Sequence, residues 1–146
     1  MRGLLGRGDV ECNRLVTSTA MGNIRSVRDL DVYEAAMDAA MEILELTKEF
    51  PEEETYSMID QMRRSSRSVC ANLSEAWRRR RSVDFFRSKL GDAESEAAEP
   101  RVWIEFAYRC EYVTADVAQD LDHQCDQIVG QLVHMIANAE DWKIRE

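Results

Sequence analysis

Seven arginines crowd one stretch of this sequence: Arg63, Arg64 and Arg67, then the unbroken run Arg78, Arg79, Arg80 and Arg81. Between Tyr56 and Lys89 there are nine Arg and Lys against three Asp and Glu, a local charge of +6. The whole chain carries −9, which leaves −15 for the rest. Guanidinium groups gathered on one face can hold phosphate oxygens, with binding that weakens steeply as salt rises. The same groups can instead form a solvated face, or pair with carboxylates of a second subunit or another acidic protein. The acidic total argues against general nucleic-acid affinity, so RNA, DNA or a nucleic-acid-associated protein would be held through local charge alone. No helix-turn-helix, zinc finger or base-stacking motif accompanies the arginines, and base-specific reading is not expected.

Gln61, Asn72 and Glu75 share the same stretch. Asn72 and Glu75 are one helical turn apart, and Arg78 or Arg79 comes one turn further on. The spacing suits a structural polar cluster, with Asn72 satisfying backbone in an adjacent loop and Glu75 pairing with an arginine to fix helix register. The alternative is a cluster that grips a partner. Catalytic chemistry finds less support. Cys12, Cys70, Cys110 and Cys125 fit no zinc spacing and are expected to be reduced and mostly buried. His123 and His134 are too far apart along one helix to hold a metal together, and Gly3, Gly6 and Gly8 do not make a phosphate-binding loop. No catalytic, cofactor-binding or metal-binding residue is assigned, and only a pocket crossing several helices would reopen an enzyme reading.

The elements that must position these groups are helices. Leu30, Tyr33, Ala36, Met37, Ala40, Met41 and Leu44 recur at steps of three and four, predicting a first helix from near Asp29 to Glu49, with Asp29 or Asp31 as its cap. Pro51 should end it, with Phe50 folding back over the bundle end. A second helix from about Glu53 to Arg80 carries Ile59, Met62, Ser66, Val69, Cys70, Leu73, Ala76 and Trp77, and Arg78 to Arg81 sit favourably against its dipole. Ser82 caps a third, with Val83, Phe86, Leu90, Ala93 and Ala97, then Trp103, Ile104, Ala107, Tyr108 and Cys110 beyond Pro100; a long helix bent at Pro100 is expected, two shorter ones being the alternative. Thr114 caps a fourth, running to about Glu140 through Val117, Leu121, Cys125, Ile128, Leu132, Met135 or Ile136, and Ala139.

Short loops between stripes of this kind imply an all-α, antiparallel, up-down four-helix bundle. The domain reading is an N-terminal extension at 1–27, a bundle at 28–141 and a C-terminal tail at 142–146, with Met1 and Met21 as alternative start sites. No export signal or membrane-spanning run is visible, which makes the cytoplasm the expected compartment. Trp77, Phe85, Trp103, Phe106, Tyr108 and Tyr112 exceed what one narrow seam can hold. Either the other helices or another subunit covers the surplus.

From Arg28 onward the chain resembles the 23S ribosomal RNA intervening-sequence protein family. The resemblance begins with Asp29-Leu30-Asp31-Val32-Tyr33-Glu34-Ala35, continues through Phe50-Pro51-Glu52-Glu53-Glu54-Thr55-Tyr56 and is strongest from Gln61 to Ala76, where Gln61, Arg63, Arg64, Ser68, Asn72 and Glu75 match. It implies a four-helix bundle that assembles into cyclic homo-oligomers, pentamers in particular, and it implies no catalytic activity. A related helical fold, the accessory protein of diversity-generating retroelements, partners a reverse transcriptase and nucleic acid, which is what the resemblance adds to the basic stretch. Two departures stand out: Ala76 replaces the family's usual Gly, and Pro100 falls where the third helix is ordinarily uninterrupted.

Overall fold

The computed structural model describes residues 24–144. Most of the expected N-terminal extension, the choice between Met1 and Met21, and Cys12 lie outside the described residues. Four α-helices make the fold: α1 (Asp31–Thr47), α2 (Asp60–Arg78), α3 (Val83–Arg109) and α4 (Ala115–Ala137). Contacts run α1 to α2, α2 to α3, α3 to α4 and α4 back to α1, which is the arrangement of an up-down bundle. No strand occurs among the described residues.

Local chemistry explains most of the boundaries. Ser82 Oγ accepts from the Phe85 amide and Thr114 Oγ1 from the Val117 amide, so both expected caps are in place. Asp29 acts one turn earlier than expected. Its carboxylate accepts from the Arg25 and Ser26 amides, which hold it below its ordinary pKa, and it closes a 3-10 turn at Val27–Asp29 rather than capping α1, whose N-cap Leu30 makes no side-chain bond. The second helix also starts later than expected. A 3-10 turn at Glu52–Glu54 and a π turn at Thr55–Ile59 precede α2, because Pro51 and the chain reversal after Phe50 must be absorbed before regular winding begins. Phe50 does fold back, meeting the Tyr112 ring at 5.4 Å between centroids.

The third helix passes through Pro100 as one α-helix, so the two-helix alternative does not hold. Pro100 removes one amide from the ladder, yet it is buried, and packing on both sides keeps the helix in register. α3 ends in a turn where the Tyr112 amide reaches the Ala107 carbonyl and Glu111 takes φ 63°, a left-handed position usually given to Gly.

The core has two lobes. The larger joins Leu73, Trp77, Phe86, Leu90 and Leu132 and is closed by Trp142, whose ring meets Trp77 edge-on at 5.9 Å. Trp142 falls in the expected tail at 142–146, yet it is buried, and the 3-10 turn Ala139–Trp142 packs with the bundle. Ile24 and Val27, from the end of the expected extension, pack against the same lobe. The smaller lobe gathers Ile43, Phe50, Met62, Ile104 and Leu121. Between the lobes, Ala36, Ala39, Ser66, Ala97 and Pro100 form a waist around a cavity of about 10 Å³, at the lower limit for one water molecule and far below the volume of a ligand pocket.

The α1 stripe is the main correction. Val32, Ala36, Ala39, Ala40, Ile43 and Thr47 are buried, whereas Met37 and Met41 are exposed. The helix turns its alanines inward because the waist leaves no room for longer side chains there.

Candidate functional site

The seven arginines do not converge. Arg63 lies in the α1–α2 groove, where its Nε donates to Thr47 Oγ1 at 2.9 Å; that hydroxyl in turn donates to the Ile43 carbonyl at 2.7 Å. Arg64, one residue on, points the other way and spans the α2–α3 groove. Its two terminal nitrogens pair with Glu96 and Glu99, each at 2.7 Å, and its Nε donates to Gln61 Oε1. These carboxylates, Glu96 first, raise the Arg64 pKa above its ordinary value. Arg67 and Arg78 are exposed on the outside of α2, with no ion pair among the described residues.

The arginine run follows as α2 ends and α3 begins. Arg79 stacks over the Phe85 ring at 4.4 Å, while Arg80 lies 3.5 Å over Trp77 and donates from Nε to the Trp77 carbonyl. Burial of Arg80 lowers its pKa from the ordinary value. Arg81 follows in the same turn, and Ser82 begins the next helix. Two of the four cations therefore lie over aromatic rings at the end that Trp142 seals.

The polar cluster is not a cluster. Asn72 donates to the Ser68 carbonyl of its own helix at 2.9 Å, instead of reaching a loop. Glu75 pairs with Lys89 of α3 at 3.2 Å, instead of with an arginine. Gln61 bonds Arg64, and about 21 Å of helix separates Gln61 from Glu75. What the three share is a face: with Arg64 and Ser68 they follow α2 along its groove with α3, and the ion pairs there fix the register of the two helices.

Sequence reasoning missed the α3 and α4 partners. Arg101 of α3 binds Asp122 at 2.9 Å and Asp126 at 2.9 Å on α4, with Asp122 the larger cause of its raised pKa. Glu96 and Glu99 at i and i+3 were the readable signal for the Arg64 fork, but only the rotation of α3 shows that they face α2. Among the described residues no group of three His, Cys, Asp or Glu could hold a metal ion. Cys70 and Cys125 are free and buried, and burial pushes their thiols up to about 11 and about 12; Cys110 is free and exposed. A concave surface of about 540 Å³ occurs beside the α3–α4 turn, lined by Tyr108, Arg109, Glu111, Tyr112, Val113 and Thr114; the Tyr112 hydroxyl there donates to Glu54 at 3.1 Å, but burial and that carboxylate push the phenol up to about 12, the opposite of an activated nucleophile. No helix among the described residues is long and apolar enough to cross a membrane.

Comparison with known proteins agrees with this picture. A crystal structure of a protein of unknown function from the S23 ribosomal protein family of Bacteroides thetaiotaomicron VPI-5482 superposes with a TM-score of 0.66 at 30% identity, covering 73% of this chain and 95% of that one. No curated protein matches the chain. The family model for the 23S rRNA-intervening sequence protein matches residues 28–134, from the turn before α1 almost to the end of α4, and the chain belongs to that family.

Proposed function

We propose that this protein is a non-enzymatic, homo-oligomeric scaffold or adaptor of the cytoplasm. The observation that carries the reading is the contrast between inside and outside. The cavity within the bundle has no room for a substrate, whereas Met37, Met41, Val102 and Phe106 stand exposed on the outer surface of the helices. Exposed apolar side chains on a bundle that already has a complete core are what a subunit contact uses. The family resemblance favours a ring, with five subunits as the expected number.

A second reading is supported by Arg67 and Arg78, which have charge to spare, and by the stacked Arg79 and Arg80, which are preorganised at little entropic cost. On this reading the bundle is an accessory protein that holds RNA or DNA through phosphate contacts. Light scattering on the purified full chain, combined with mobility shifts on RNA and DNA over a salt series, separates the two. A monomer at micromolar concentration sinks the assembly reading. Absence of any shift at low salt sinks the nucleic-acid one.

A further inference from the structure

Two apolar strips lie on diagonally opposed helices. The first is on α1. Glu42 accepts from Gln124 of α4 and so marks the α4 flank of α1; at about 100° per residue Met37 lies about 140° round from it, on the α2 flank, and Met41 about 100° round, facing outward on the α2 side. They are 39% and 51% exposed, one turn apart. The bond from Arg63 to Thr47 sets the α1–α2 register, which places Met37 about 15 Å from Thr47, level with Ser74, about 16 Å from Arg63. Arg67 and Arg78 lie on the exposed side of α2 beside this strip, and neither has an ion pair among the described residues.

The second strip follows the outer face of α3. Gly91, Ser95, Ala98, Val102 and Phe106 recur at steps of four, three, four and four, with Val102 55% and Phe106 50% exposed. Its first half is small, and a Cβ added at Gly91 would meet nothing within 4 Å. Its flanks are acidic. Asp92 and Glu105, 57% and 65% exposed, have only local partners on their own helix, Lys89 and Arg109.

The two strips complement each other. One offers two flexible methionine knobs beside Arg67 and Arg78, which have no ion pair among the described residues; the other offers a shallow small-residue groove leading to an apolar ridge between carboxylates. We propose that the Met37–Met41 strip of one subunit receives the outer face of α3 of the next, with Arg67 and Arg78 set against the acidic flanks. Because the two surfaces differ, the contact is heterologous and runs head to tail. Because the methionines lean towards α2 instead of pointing straight away from α3, each added subunit turns relative to the last, as closure of a ring requires. The proposal rests on the assembly reading and specifies its contact.

The test uses the full chain and two variants, Met41→Glu and Phe106→Glu, each checked for unchanged helical circular dichroism and then weighed by light scattering. Each variant alone is expected to have the mass of one chain. Mixed in equal amounts they are expected to give two-chain particles, because the mixture restores one intact joint: the α3 face of Met41→Glu against the methionine strip of Phe106→Glu. Arg67→Glu is expected to raise the concentration needed for assembly about tenfold or more. An assembly unchanged by either strip variant overturns the assignment, as does a mixture that stays at one-chain mass, a two-chain particle from either variant alone, or an unshifted Arg67→Glu. A wild-type chain that is itself monomeric removes the assembly reading instead, so the two failures are distinguishable.

Discussion

The bundle closes along unlike seams. Where α2 meets α3, charges of opposite sign are matched: Arg64 holds Glu96 and Glu99, and Lys89 holds Glu75. Where α1 meets α4, both helices are acidic. Asp31, Glu34, Asp38, Glu42 and Glu45 lie on one, and Asp116 and Asp120 on the other, with no Lys or Arg on either; Asp122 and Asp126 of α4 face α3 instead, where Arg101 neutralises them. Among the described residues the hydrogen bond that crosses this seam is from Gln124 to Glu42, and three buried polar atoms of α4 have no partner there, Nε2 of His123, Oε1 of Gln131 and Nε2 of His134. One seam is held by specific pairs and the other by apolar packing against like-charge repulsion. The difference predicts that α2–α3 is the more rigid half and that the molecule opens first along α1–α4.

The most severe challenge to that comparison is a charge placed in the weak seam. Gln131 is buried with its oxygen unpaired, so Gln131→Glu puts a carboxylate where no cation waits, and a loss of about 3–5 kcal/mol is expected in denaturant titrations. The loss should shrink as pH falls and the new carboxyl becomes protonated. Gln131→Met removes the unpaired atom and should be neutral or stabilising by up to about 1 kcal/mol. If both substitutions cost the same, Gln131 is satisfied in solution and the seam is stronger than drawn.

On the other side, Arg64→Ala breaks the fork to Glu96 and Glu99. Arg64 is 44% exposed, so solvent screening reduces the effect to about 1 kcal/mol, and most of that should disappear in high salt. A loss that persists in high salt would show that the fork holds α2 and α3 together by packing rather than by charge. Smaller still is the change at the α3–α4 turn, which lies in neither seam. Glu111 has φ 63°, and Glu111→Gly should raise stability by about 0.5–1 kcal/mol in the same titrations. It calibrates how much a local backbone change moves the whole bundle without touching the comparison.

These contrasts also show what the sequence could reveal. The expected α2 stripe from Ile59 to Trp77 is buried in full, because its residues alternate cleanly between apolar and strongly polar. Ser82 and Thr114 cap as read, because a hydroxyl before a periodic run has one economical use. On α1 the alanines are compatible with any face, so the stripe through the larger Met37 and Met41 is rotated outward by about 100° from the buried face, which Val32 and Ile43 define. The π turn before α2 has no sequence signature. The arginines were legible as a charge density but not as a site, since whether Arg64 is free or forked depends on the rotation of α3, a property of packing that no local spacing encodes.

At neutral pH the smallest expected effect, and the sharpest for the seams, concerns two thiols. Cys70 is on α2 and Cys125 on α4; burial puts their pKa values near 11 and 12, so at pH 7.5 native thiolate is negligible and labelling reports opening of the fold. Static burial makes Cys70 the faster, since it is 9% exposed against 3% for Cys125. A weaker α1–α4 seam reverses the order. In a Cys12→Ser background, exposed Cys110 should react at once, Cys125 next and Cys70 last, as followed by mass spectrometry of the labelled peptides. The two thiols add no pH dependence to stability from pH 6 to 8. Both folded pKa values exceed the ordinary thiol value of about 8.5, so the stabilisation from neutral thiols is complete below that value and lost as pH rises towards 11 and 12. Cys70 lies seven residues from Arg63 on the α1 flank of α2, so if it is labelled before Cys125, α2 is not held more firmly than α4 and the contrast between the seams fails.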